Sequence, residues 1–142
     1  MAQPQTRYAG GCLCGALRYE AFAEPLFMGH CYCTDCQKAS GSGFMPFMGF
    51  ARGALRFTGE VRGHVSKAAN GGQARRNFCP SCGSLVFGGE PESSQALNIY
   101  AGSLDDSTSF QPSIAIFASS RPHWALIPPG LTTFERMPED SR

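Results

Sequence analysis

Seven cysteines in a chain of 142 residues, set out as Cys12-Leu13-Cys14, Cys31-Tyr32-Cys33-Thr34-Asp35-Cys36 and Cys79-Pro80-Ser81-Cys82, restrict the possible folds more than any other feature. An odd number cannot all pair as disulfides within one chain, and thiols spaced this closely suit a metal ion better than a cross-linked framework. The opening Met1-Ala2-Gln3-Pro4-Gln5-Thr6-Arg7 lacks the apolar run of a secretory leader. Nowhere do the roughly 18 uninterrupted apolar residues of a membrane span accumulate. A cytoplasmic protein with reduced, thiolate cysteines is therefore expected.

The spacing divides the cysteines unequally. Cys79-Pro80-Ser81-Cys82-Gly83 lets a tight turn aim two sulfurs at one ion, with the glycine turning the backbone beneath it. Cys12 and Cys14 are two apart, too widely spread on a regular strand, but the neighbouring glycines permit the irregular backbone that brings them together. These four supply the thiolates of a closed structural Zn²⁺ site. Cys31, Cys33 and Cys36 lie within six residues and lack a fourth cysteine. Structural zinc takes four protein ligands, whereas catalytic zinc takes three and leaves one position for water or substrate. Zn²⁺ with three thiolates carries a net charge of about −1 and acidifies bound water poorly, so an incoming thiolate suits it better than a hydrolytic hydroxide.

Seventeen glycines and ten prolines against 16% charged residues point to short strands and many turns. Strands are expected over 16–22, 43–50, 55–59, 84–88, 96–101 and 114–117, with Pro46 requiring an edge or a bulge. Residues 66–73 read as a loop, and the proline-rich stretch 122–138 as turns. A single short helix is expected at Thr34-Asp35-Cys36-Gln37-Lys38-Ala39-Ser40, with Thr34 and Gln37 forming a capping box and Gly41 the stop, so that Cys36 falls in the first turn. One domain over 1–142 is the expectation at this length.

Twelve Lys/Arg are dispersed and matched by eleven Asp/Glu, giving a formal charge of +1. Seven thiolates (−7) and two Zn²⁺ (+4) would take +1 to −2, which argues against electrostatic capture of nucleic acid.

Three segments, Gly11-Cys12-Leu13-Cys14-Gly15, His30-Cys31-Tyr32-Cys33-Thr34-Asp35-Cys36-Gln37-Lys38 and Phe78-Cys79-Pro80-Ser81-Cys82-Gly83-Ser84, resemble the signatures of the glutathione-dependent formaldehyde-activating enzyme family. Ser120-Arg121-Pro122-His123-Trp124, with Ile127-Pro128 and Phe134, is similar to that family's closing segment. The resemblance implies a mainly β fold of small coiled antiparallel sheets, Mss4-like, with Cys12, Cys14, Cys79 and Cys82 structural and Cys31, Cys33 and Cys36 catalytic. It also implies condensation of formaldehyde with glutathione to S-(hydroxymethyl)glutathione, a carbon–sulfur lyase by its reverse direction, or a related reaction of a small aldehyde and thiol. The rival reading is a non-catalytic zinc module that binds protein or nucleic acid, as in the related domain of centromere protein V. It wants a basic tail or patch, which this chain lacks.

Other residues deserve a role or its denial. His30, His64 and His123 are candidates to close the three-cysteine site, although a lone histidine is more often merely hydrogen-bonded. Arg121 offers a bidentate fork for a substrate carboxylate or an ordinary surface salt bridge, and Lys38 lies beside the cluster but is expected as an exposed lysine on a short helix. Trp124 is expected in the core. Phe44, Phe47 and Phe50 with Met45 and Met48 are expected mostly in the core, with an apolar pocket beside the metal as the alternative.

Overall fold

The computed structural model describes residues 5–68 and 70–138. Part of the opening Met1–Arg7 segment and of the loop over 66–73 therefore lies outside the described residues, as does the end of the 1–142 domain. The elements in chain order are β1 (Tyr8–Gly11), β2 (Arg18–Ala21), β3 (Phe27–Cys31), α1 (Thr34–Ser40), β4 (Met45–Ala51), β5 (Leu55–Thr58), β6 (Arg62–Lys67), β7 (Gln73–Phe78), β8 (Leu85–Gly88), β9 (Ala96–Tyr100), β10 (Ile114–Ile116) and β11 (Thr132–Thr133), with a few single turns of 3₁₀ helix. The mainly β class expected from the turn-rich composition is what forms. No helix among the described residues is long and apolar enough to cross a membrane.

Two sheets result, one of three strands in the order β1-β2-β5 and one of eight in the order β11-β10-β3-β4-β9-β8-β7-β6. Pairing is antiparallel except at β10, which runs parallel to both β3 and β11. Pro46 sits in a strand flanked on both sides, but the pairing of β4 with β9 begins only at Phe47, so its missing N–H costs no ladder bond there.

Alternation on β9 sets the geometry of the molecule. Leu97 and Ile99 are fully buried and join Leu17, Tyr19, Met48, Phe50, Val86 and Phe87 in the core between the sheets. Ala96, Asn98 and Tyr100 face the other way, as period-two alternation requires. Across that opposite face the register aligns Arg76, Gly88, Asn98, Gly49 and Phe27 in one row. The next row holds Tyr100, Phe47 and Gly29, and the third Met45, Cys31 and Ile116.

Several expectations need correction. Strands β1, β3, β6, β7 and β11 carry weak alternation and were not expected; β6 and β7 form a hairpin that flanks the turn inside 66–73. Trp124 is 63% exposed rather than buried, because the chain after Pro122 turns outside the sheets and its ring edge lies over the bare backbone of Gly43. Helix α1 spans the expected residues, yet Thr34 is not its cap. Cys33, extended at φ −64° and ψ 154°, accepts the Cys36 N–H on its sulfur, and the Gln37 amide donates instead to the Tyr32 and Ser120 carbonyls.

Candidate functional site

The sulfurs of Cys12, Cys14, Cys79 and Cys82 lie within 4.8 Å of one another although the two pairs are far apart in sequence. Cys12 follows β1 directly, and a turn in which the Gly15 N–H reaches the Cys12 carbonyl swings Cys14 back beside it. Cys79 follows β7, and the Gly83 N–H donates to its carbonyl while Gly83 takes φ 78°, a left-handed conformation that a side chain would oppose. Neighbouring donors stabilise sulfur charge. The Leu17 N–H lies 3.2 Å from the Cys12 sulfur, and hydrogen bonds from the Ser84 hydroxyl and N–H pull the Cys82 thiol down to about 5. The Ser84 hydroxyl also accepts from the Leu13 N–H, tying the two halves together.

A tetrahedral ion with metal–sulfur bonds of about 2.3 Å has sulfurs about 3.8 Å apart. The Cys12–Cys14 and Cys14–Cys79 separations are 3.7 and 3.8 Å. Two separations in this donor set are thus already those of a tetrahedral ion, and the rest lie within 4.8 Å, so the four sulfurs suit a metal ion.

The second cluster is built where β3 runs into α1. Cys31 ends the strand, Cys33 caps the helix and Cys36 sits in its first turn, which brings the three sulfurs within 4.8 Å of one another. Among the described residues no histidine, cysteine or carboxylate joins them as a fourth donor. Three thiols this close cannot all ionise without a cation. Hydrogen bonds from Cys31 and Cys36 hold Cys33 far below the ordinary thiol range. Bonding to Cys33 and Cys36, with burial, pushes Cys31 far above it. Cys36 is lowered by its bond with Cys31 but raised more by the bond with Cys33, burial and the Cys33 charge, reaching about 11. A cation seated here would displace the protons that Cys31 and Cys36 retain.

Cys31 and Cys36 open onto a cavity of about 500 Å³ that lies over the sheet face opposite the core. Phe27, Phe47 and Phe117 supply apolar wall, and Arg76, Asn98 and Tyr100 supply polar groups. Phe117 has φ 55°, held by main-chain bonds between 117–119 and 134–136. The Arg76 guanidinium bonds to Ser66 and lies against the Cys36 thiol, and no carboxylate among the described residues pairs with it. Asn98 Oδ1 is buried without a donor among the described residues.

The residues singled out in the sequence are distributed unevenly. Met45 and Phe47 line the cavity, whereas Met48 and Phe50 belong to the core. His30 is buried against Phe44, ring centroids 4.3 Å apart, and its Nδ1 faces the Tyr32 hydroxyl at 3.3 Å, so it reads as packed rather than ligating. His64 and His123 are exposed and outside the cluster. Arg121 donates to the Ala125 and Pro122 carbonyls and is not on the cavity wall; nor is the exposed Lys38. Arg76, Asn98 and Tyr100 were missed. Only strand alternation on β7 and β9 could have indicated them, and β7 has almost none.

A sequence model of the glutathione-dependent formaldehyde-activating enzymes matches residues 7–120, most of the chain and all seven cysteines. The chain belongs to that family. A Halomonas elongata relative provisionally named as a glutathione-dependent formaldehyde-activating enzyme is 25% identical over 83% of this chain and 79% of its own length. A fission-yeast (Schizosaccharomyces pombe) protein described as an uncharacterized lyase is 32% identical over 56% of this chain, and the match spans only 56% of that relative. A crystal structure of a Rhodobacter sphaeroides protein superposes with a TM-score of 0.53 at 16% identity, covering 89% of this chain and 98% of the other. That likeness speaks for the fold alone.

Proposed function

We propose that this single domain, acting in the cytoplasm, is a zinc-dependent carbon–sulfur lyase-type enzyme that joins glutathione, or a similar small thiol, to formaldehyde or a related small aldehyde. The observation that carries the reading is the convergence of Cys31, Cys33 and Cys36 beside a cavity of about 500 Å³, with no fourth protein donor among the described residues. Zinc held by these thiolates would supply a coordination position at which the substrate sulfur stays deprotonated near neutral pH. Zn²⁺ at Cys12, Cys14, Cys79 and Cys82 would be structural, its four positions filled by protein.

The chain's own groups support the reading. Arg76 beside Cys36 offsets the net negative charge of a three-thiolate site and favours approach of a further anionic sulfur. The aromatic side chains of Phe27, Phe47 and Phe117 give a small electrophile an apolar surface beside the thiols. Asn98 Oδ1 presents an acceptor for which no described residue supplies a donor, which suits a peptide-like thiol bearing N–H groups. Bringing thiol and aldehyde into one small cavity contributes chiefly proximity, since formaldehyde is already electrophilic. The near-neutral, dispersed charge speaks for this reading over a module that grips nucleic acid.

The test is NMR exchange spectroscopy of formaldehyde and glutathione with and without the zinc-loaded protein. Faster exchange is expected, and an unchanged rate would overturn the named reaction.

A further inference from the structure

Of the four tyrosines, three have hydroxyls engaged within the protein. Tyr8 donates to Glu24, Tyr19 pairs with the Ser103 hydroxyl, and Tyr32 donates to the Leu126 carbonyl. Tyr100 makes no side-chain hydrogen bond to any described residue, although it stands at the end of the central strand β9 on the wall of the cavity that Cys31 and Cys36 share. Its position is built with some care. A Cβ placed on Gly88 would come within 2.6 Å of the Tyr100 hydroxyl oxygen, so the phenol tip occupies space that only glycine leaves open. Phe47 stands directly opposite Tyr100 on β4 and lines the same cavity.

We propose that the Tyr100 hydroxyl is the proton donor to the aldehyde oxygen during carbon–sulfur bond formation, a role that rests on the aldehyde–thiol reading above. As the thiolate sulfur forms its bond to the carbonyl carbon, the C=O π pair moves onto oxygen, and the phenol transfers its proton there. The product is the neutral hemithioacetal, RS–CH₂–OH, and the phenolate recovers a proton from water. The proton lost by the substrate thiol has gone to solvent, so the sum is RSH + CH₂O giving RSCH₂OH. In the reverse direction the phenolate withdraws the same proton as the carbon–sulfur bond breaks. Burial raises the Tyr100 pKa, so the hydroxyl carries its proton at neutral pH.

Three enzymes decide the matter: wild type, Tyr100→Phe, and a form carrying 3-fluorotyrosine at position 100, which keeps the ring shape and acidifies the phenol. Each is loaded with zinc, checked for metal content and thermal midpoint, and followed by the same NMR exchange measurement. The expected result is a fall of about 100-fold in kcat for Tyr100→Phe, with KM for glutathione within about twofold, and a rate at or above wild type for the fluorotyrosine form. Wild-type turnover by Tyr100→Phe would overturn the assignment while leaving the reaction in place. Loss of activity in the fluorotyrosine form as well would reduce Tyr100 to packing. Absence of acceleration by the wild type itself would remove the aldehyde–thiol reading and this step with it.

Discussion

Asn98 has a side-chain acceptor that folding removes from water with no donor among the described residues, and such a group costs roughly 1–3 kcal/mol. Asn98→Leu, matched in branching and in side-chain heavy atoms but without the orphaned oxygen, should raise stability by about 1 kcal/mol in urea denaturation. The same substitution should raise KM for glutathione about tenfold, because an N–H of the ligand then meets no acceptor. A variant that gained stability with unchanged KM would detach Asn98 from substrate. At Cys36 the expectation is the reverse. Cys36→Ser keeps the helix, since the Cys33 sulfur cap draws only on the residue 36 main-chain N–H, but it removes one of three anchors. Turnover should be lost and the unfolding midpoint should stay within a few degrees, by activity assay and circular dichroism.

At the scale of elements, the alternating run of β2 and the short apolar runs bounded by Gly, Pro or Ser were legible, and they were the strands found. β2, β4, β5, β8, β9 and β10 fall within a residue or two of where their patterns place them. The hairpin of β6 and β7 was not, because Arg62-Gly63-His64-Val65-Ser66-Lys67 and Gln73-Ala74-Arg75-Arg76-Asn77-Phe78 carry polar residues on both faces. On β7 Arg76 faces the polar cavity, while Asn77 on the other face is a fully buried polar residue beside Phe87, so no hydrophobic period survives. For the same reason the cysteine groupings were readable from spacing, whereas Arg76, Asn98 and Tyr100 depend on the pairing of three strands that local sequence does not encode. Helix α1 is a further case: its extent was legible and its cap was not, since a cysteine sulfur replaced the hydroxyl that pattern reading looks for. Its other end is closed by Gly41 at φ 67°. Gly41→Ala should cost about 1 kcal/mol through that left-handed conformation, read as a lower thermal midpoint, with space for the methyl itself freely available.

Over the whole molecule, the four-cysteine cluster joins the turn after β1, in the three-stranded sheet, to the end of β7, in the eight-stranded one. Binding free energy at such a joint is folding free energy. Cys82→Ala should therefore lower the thermal midpoint markedly and make folding, followed by circular dichroism, respond to added zinc only at much higher concentration. Native melting and full metal content in this variant would remove the structural assignment. Strand β7 carries Arg76 toward the cavity and ends next to Cys79, three residues on. Stripping the ion from the buttress end of that strand should therefore loosen the cation at its business end, so a partly chelated preparation ought to lose catalytic competence before it loses its sheets. Zinc counts per molecule, more than protein concentration, would then be the proper denominator for specific activity.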